Sequence, residues 1–183
     1  ATFPVDATYG NDSWQVSVMS YFDQLQNTTV AASLAATVTP MIADIIAIQD
    51  LYGAPPDGVS AGDTVWGEGS TLTSYMGDLF AAMFEADDPN IYGGSAVTFT
   101  IYDEGGEDTL DLSSDTYDQV VDLRPEGISD VLGLVGNVII ARDTYIETYL
   151  AGSGNDRIQM NGLSNFVDAG AGNDTVEAGA GFD

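Results

Sequence analysis

Hydrophobic positions along this chain follow several periods in turn. Residues 1–30 mix polar and aromatic side chains without a period and predict irregular segments and turns. Ile42, Ile45, Ile46 and Gln49 fall at helical spacing and predict a helix over 40–52. Thr39 suits its cap, Pro40 its first position and Gly53 the position after its end. The Ala31–Ala36 stretch is expected to pack nearby. Gly53-Ala-Pro-Pro-Asp-Gly58 then stops the helical pattern and marks the best domain boundary. Beyond it the period is that of strands: Val97-Thr-Phe-Thr-Ile101, Thr109-Leu-Asp-Leu112 and Val138-Ile-Ile140 sit between Gly/Asp turns.

The final segment repeats every nine residues. Ala151-Gly-Ser-Gly-Asn-Asp156-Arg-Ile158 recurs as Ala169-Gly-Ala-Gly-Asn-Asp174-Thr-Val176 and restarts at Ala178-Gly-Ala-Gly-Phe-Asp183, with a worn copy, Met160-Asn-Gly-Leu-Ser-Asn165-Phe-Val167, between the first two. A fixed period marks a stacked architecture. A flexible glycine linker has no reason to place Ile158, Val167 and Val176 one per repeat. The glycines at 152, 154, 170, 172, 179 and 181 permit positive-φ turns and leave carbonyls bare. With two repeats per coil, the turns at 151–156 and 169–174 stack on one edge and bring Asp156 near Asp174. Carboxylates one strand spacing apart, ~4.8 Å, repel, and a hard cation among oxygen donors removes that repulsion. The candidate calcium ligands there are the carbonyls of Ala151, Ser153, Gly170 and Gly172 with the carboxylates of Asp156 and Asp174. On the opposite edge Asn165 stands where an aspartate would, and Met160 and Leu163 replace glycine-type positions. A filled site between 160–165 and 178–183 is poorly supported.

Charge narrows the function further. Twenty-nine acidic residues face three basic ones, Arg124, Arg142 and Arg157, for a net charge of −26. That balance argues against nucleic acid and anionic membrane surfaces as partners. It also destabilises a compact state unless bound cations offset it. Cysteine and histidine are absent, so neither disulfides nor thiolate sites are available. No run of about 18 apolar residues is present to span a membrane. Weak multi-copy calcium sites suit the millimolar calcium outside cells, and the expected location is extracellular.

Five separated blocks appear in a telling order: Ser17-Val-Met19-Ser-Tyr21-Phe22, Ala43-Asp-Ile-Ile-Ala-Ile-Gln-Asp-Leu-Tyr-Gly-Ala54, Gly62-Asp-Thr-Val-Trp-Gly67, Tyr102-Asp-Glu-Gly-Gly-Glu-Asp-Thr109, and the repeats. Together they closely resemble serralysin-type secreted metalloproteases, zinc-dependent metzincins, over nearly the whole chain and least over 68–96. The resemblance implies a mainly β fold, a parallel two-sheet β-roll of the RTX kind over 56–183. This roll would follow a helix and Met-turn remnant of a metzincin catalytic domain over 1–55. It implies that Met19 is the Met-turn methionine, an apolar floor beneath zinc, and that Tyr21 reaches zinc or the tetrahedral intermediate. The alternatives are a Met19 buried in a small core and an ordinary half-buried Tyr21. The resemblance also implies a calcium site from the carbonyls of Ser60, Gly62 and Thr64 with Asp103, Gly105 and Asp108. A neighbouring site would use Gly106 and Asp108 with the Tyr145 carbonyl and the Glu147 carboxylate.

One departure bears directly on activity. Metzincins hold zinc through three histidines in His-Glu-x-x-His-x-x-Gly-x-x-His, and this chain contains none. The motif would lie just upstream of Ala1, and both termini look cut. The expected partners are therefore an N-terminal protease portion carrying those histidines and a protein or peptide substrate. Zinc would be held outside this chain, with Tyr21 as the one residue this chain could add. No Gly-x-Ser-x-Gly elbow is present, and nothing places two carboxylates across a cleft for glycoside chemistry. The rival reading is a non-catalytic calcium-binding RTX module serving secretion, folding or adhesion.

Overall fold

The computed structural model describes residues 1–183 except 56, 57, 59 and 87. Pro56 and Asp57 of the expected domain boundary thus lie outside the described residues. The first regular element after the turns of 1–35 is strand β1 (Ala36–Thr37), followed by helix α1 (Ile42–Tyr52). Strand β2 (Val65–Gly67) leads to helix α2 (Tyr75–Ala81), which continues into a single wider π-helical turn (Ala82–Ala86). Nine short strands complete the chain: β3 (Val97–Ile101), β4 (Thr109–Asp111), β5 (Val120–Asp122), β6 (Ile128–Ser129), β7 (Val138–Ile140), β8 (Thr148–Leu150), β9 (Arg157–Gln159), β10 (Phe166–Asp168) and β11 (Thr175–Glu177).

Three sheets result, in the orders β1-β3-β7-β6, β10-β8-β4-β2 and β11-β9-β5. All pairings between strands are parallel except β6 with β7. Among the described residues the fold is β-rich and mixed, with two short helices. Phe166 lies opposite Thr148 and Thr175 opposite Arg157, so strands that pair at the end of the chain are two nine-residue repeats apart. Ile158, on the central strand β9, is fully buried, whereas Val167 and Val176, on the edge strands β10 and β11, are half-buried and 43% exposed.

The core follows from the pattern. Strand β3 lies between β1 and β7 and is buried at every position, which explains its unbroken Val-Thr-Phe-Thr-Ile run. Helix α2 buries Met76, Leu79 and Phe80. The Phe80 ring meets Trp66 and Phe99 edge-on, with centroids 6.4 and 5.4 Å away. That geometry matches the quadrupoles of the rings and fixes the helix over the sheets. The helix thus covers a core built from strands far apart in sequence, in the segment where the family resemblance is weakest.

The helix predicted over 40–52 begins two residues late. Met41 is its cap residue, and its N–H donates to Asp44 Oδ2 at 2.9 Å. Thr39 instead spends its hydroxyl on strand β3, accepting from Thr100 N–H at 2.9 Å. Gly53 ends the helix as expected, at φ 80°, with its N–H on the Gln49 carbonyl. Ala31–Ala36 runs into β1, which pairs with β3, and Gln15 Nε2 reaches the Gly136 carbonyl at 3.2 Å. The first 55 residues are therefore hydrogen-bonded to the later strands.

The repeat glycines serve a purpose the sequence reading did not name. Only Gly170 and Gly172 among the six adopt positive φ. What all six share is a carbonyl beneath them. A Cβ on Gly152 would sit 1.8 Å from the Asp115 oxygen, and one on Gly170 would sit 1.8 Å from that of Gly152. Glycine is required by close stacking more than by turn conformation. Gly152→Ala is expected to cost about 1–3 kcal/mol. Gly162, with nothing within 4 Å of an added Cβ, is the control, and its alanine variant should stay within about 0.5 kcal/mol of the parent. Equal denaturation midpoints for the two variants would contradict the stacking.

Candidate functional site

Each strand of the stacked sheets is preceded by one residue that links it to the next layer. In the first column the Thr64 N–H donates to Asp108 Oδ1 at 2.8 Å, and the Asp108 N–H donates to Glu147 Oε2 at 2.9 Å. In the second the Gln119 N–H donates to Asp156 Oδ1 at 2.8 Å, and the Asp156 N–H to Asp174 Oδ1 at 2.9 Å. Parallel pairing dictates this. It places equivalent residues one above another, so side chains entering each strand form a ladder.

The first column gathers most of the residues expected to bind calcium. Ser60, Thr64, Asp103 and Asp108 are all buried. Asp103 accepts from Trp66 Nε1 at 2.9 Å and from Gly105 N–H at 3.2 Å. Thr64 Oγ1 donates to the Gly62 carbonyl at 2.8 Å. Gly106, at φ 141°, packs so closely on Gly62 that an added Cβ would lie 2.6 Å from the Gly62 carbonyl carbon. The loops 60–64 and 103–108 are thereby brought together. Tyr145 is 39% exposed just ahead of Glu147.

Electrostatics make this pocket expensive without a cation. Burial first, then the charges of Asp103 and Glu147, push Asp108 up to about 7, although the Thr64 N–H opposes the shift. Burial likewise raises Asp156, with Asp174, Asp115 and Asp118 adding to it. One oxygen of each group, Asp108 Oδ2 and Asp156 Oδ2, is buried without any hydrogen-bond partner. Buried polar atoms are rarely left unpaired, and a hard divalent cation satisfies such oxygens. No group of three or more His, Cys, Asp or Glu side chains converges among the described residues. Backbone carbonyls must therefore supply much of any coordination shell, and calcium accepts them readily.

On the opposite edge the Asn165 N–H donates to Asp183 Oδ1 at 3.1 Å, while Asn165 Nδ2 is spent on the Ile146 carbonyl at 3.2 Å. Asn165 Oδ1 is also buried without a partner. The neutral amide supplies no charge there.

Met19 and Tyr21 lie on a turn at the surface, 78% and 87% exposed. Neither the buried-core alternative for Met19 nor a half-buried Tyr21 describes them. Phe22 points inward and meets Phe3 edge-on at 5.7 Å, which leaves its neighbour Tyr21 facing out. The turn is held by Trp14 Nε1 donating to the Ser20 carbonyl at 3.0 Å and by Ser20 Oγ donating to Asp12 at 2.7 Å. Asp44 is the residue sequence reasoning missed. Its carboxylate accepts from Ser17 Oγ at 2.7 Å, Val18 N–H at 2.9 Å and Met41 N–H at 2.9 Å. One side chain thus binds the methionine turn to the start of α1. Only its position three residues after the cap hinted at part of this.

Comparison with known proteins agrees with this arrangement. The family described as Peptidase M10 serralysin C terminal matches residues 58–181. The metallopeptidase AprA of Pseudomonas marginalis is 40% identical over 165 residues, covering 88% of this chain and 32% of that protein. Serralysin of Photorhabdus luminescens is 40% identical over 164 residues, covering 90% and 31%. Serralysin C of Dickeya chrysanthemi is 39% identical over 151 residues, covering 82% and 29%. The chain spans about a third of the length of these relatives. With buried carboxylates stacked on parallel strands and a match that covers most of its length, this chain belongs to the Peptidase M10 serralysin C-terminal family.

Proposed function

We propose that this chain is the calcium-binding C-terminal part of a secreted zinc metalloendopeptidase. The observation that carries the reading is the pair of carboxylate ladders, each with a buried carboxylate oxygen lacking a partner, in a chain of this family. The part after residue 55 is the β-roll of the family, its strands lying in three hydrogen-bonded sheets and not two, and residues 1–55 complete a catalytic domain. Calcium is held by Ser60, Gly62, Thr64, Asp103, Gly105 and Asp108. A second ion lies between Gly106, Asp108, Tyr145 and Glu147, and a third between the turns 151–156 and 169–174. These ions offset a net charge of −26 and link folding to the calcium-rich space outside cells.

The histidine-bearing portion is the partner, and it supplies zinc and its activated water for attack on a peptide bond. This chain contributes the methionine turn. Exposed Tyr21 would offer its O–H as a hydrogen-bond donor to a developing oxyanion, and exposed Met19 would present an apolar surface to the zinc-bearing portion. As an isolated polypeptide without histidine the chain has no such activity. In the intact protease, Tyr21→Phe is expected to lower kcat by about 100-fold and leave calcium-dependent melting unchanged. Undiminished turnover in that variant would refute the assigned role.

A further inference from the structure

The turn at 113–119 shares no glycine pattern with the repeats, yet it lies beneath turn 151–156 in the same register that 151–156 holds beneath 169–174. Four contacts repeat from one gap to the other. The Ser153 N–H donates to the Asp115 carbonyl at 2.9 Å, as the Ala171 N–H does to that of Gly152 at 3.0 Å. Asn155 N–H donates to Asp118 Oδ1 at 2.7 Å, as Asn173 N–H does to Asn155 Oδ1 at 3.1 Å. Gln119 N–H meets Asp156 Oδ1 at 2.8 Å, as Asp156 N–H meets Asp174 Oδ1 at 2.9 Å. Arg157 N–H donates to the Gln119 carbonyl at 2.9 Å, as Thr175 N–H does to that of Asp156 at 2.8 Å. The two gaps therefore share one backbone frame.

The lower gap also holds an oxygen in need of a partner. Asp156 is 2% exposed, and its Oδ1 is tied to the Gln119 N–H of the turn below. Its carboxylate leans toward that lower turn, and the remaining oxygen, Oδ2, has no hydrogen-bond partner. Asp115 cannot supply one, since an ionised carboxylate has no proton to donate. Its oxygens already accept from Tyr117 N–H, Gln119 Nε2 and Leu132 N–H. Nor can Gln119, whose amide is shared between Asp115 and the Tyr149 hydroxyl. What the gap offers is negative charge, the carbonyls of Asp115 and Tyr117, which lie against Gly152 and Gly154 of the upper turn, and one free carboxylate oxygen.

We propose that the gap between turns 113–119 and 151–156 is a further divalent-cation site, held by Asp156 Oδ2 and the carbonyls of Asp115 and Tyr117, with Asp118 adding charge at its rim. An all-oxygen donor set of carbonyls and carboxylate selects calcium. The inference rests on the calcium reading of the repeats and extends that column by one layer.

The test is calcium retained per chain, by elemental analysis and calcium titration of the intact protein and three variants. Asp174→Asn touches only the upper gap and should release one ion. Asp156→Asn borders both gaps and should release one ion more. Asp118→Asn preserves the acceptor for Asn155 and should weaken one site by about tenfold while the others hold. If Asp156→Asn and Asp174→Asn release the same number, and Asp118→Asn changes no affinity, the lower site is overturned while the calcium reading stands. If none of the three alters calcium content, the calcium reading itself fails. Should Asp156→Asn not fold, the Asp118→Asn titration decides alone, since that side chain is exposed: a tenfold weaker site supports the proposal and an unchanged curve overturns it.

Discussion

Stripped of calcium with a chelator at pH 8, the chain is expected to unfold, and to recover folded structure as the pH is lowered to 5. The three ions proposed for the two columns, at about a hundred times their dissociation constants, would contribute about 8 kcal/mol, comparable to the whole stability of an ordinary domain, about 5–15 kcal/mol. The pH arm follows from Asp108, whose buried carboxyl is raised to about 7 in the metal-free state. Its folded value lies above the unfolded one. Its contribution is therefore fully present below the unfolded value near 3.8 and is lost as pH rises through about 7. The full swing is worth about 4 kcal/mol, of which about 3 kcal/mol falls between pH 5 and pH 8, and Asp156, raised in the same direction, adds to it. With calcium bound the preference reverses, because protons then compete with the ion for the same oxygens. Melting curves by circular dichroism at pH 5 and pH 8, with and without chelator, check both arms. Asp108→Asn keeps a bond from Thr64 but cannot ionise, so its metal-free melting should respond much less to pH. A wild-type chain that melts alike at both pH values in chelator would contradict the crowding of Asp108 with Asp103 and Glu147.

The second large effect is expected at Asp44. Replacing it with alanine removes three acceptor contacts at once and leaves Val18 N–H and Met41 N–H without their partners. A loss of about 3 kcal/mol follows from charged hydrogen bonds of this kind. Asp44→Asn keeps one acceptor oxygen and should lose about half as much. On the proposed reading both variants lower kcat of the intact protease in the order Ala below Asn, because the turn bearing Met19 and Tyr21 is positioned through Ser17 and Val18. If Asp44→Ala denatures at the parent's urea concentration, the carboxylate is not what joins this turn to α1.

What could be read from sequence alone was whatever has a period. The helix expected over 40–52 and found over Ile42–Tyr52, the strands within the runs 97–101, 109–112 and 138–140, and the one-per-repeat strands at Ile158, Val167 and Val176 follow the spacing closely. Local propensity and alternation act over a few residues, so the chain itself carries that information. Asp156 and Asp174 were nominated as oxygen donors by the repeat, and Asp103 and Asp108 by the order of the family-like blocks.

Only the tertiary structure decided which turns share a column. Thr64 and Asp108 are 44 residues apart, Asp108 and Glu147 are 39 apart, and Gln119 and Asp156 are 37 apart, against 18 for Asp156 and Asp174. The unequal steps hide the equivalence from any search for a period. The layers accept them because parallel pairing fixes only the residues in the strands and leaves each connection free to vary in length. The same cause placed turn 113–119, without one glycine, beneath the glycine turns. It also gave Asp44 a partner at Ser17, 27 residues away, that neither segment announces.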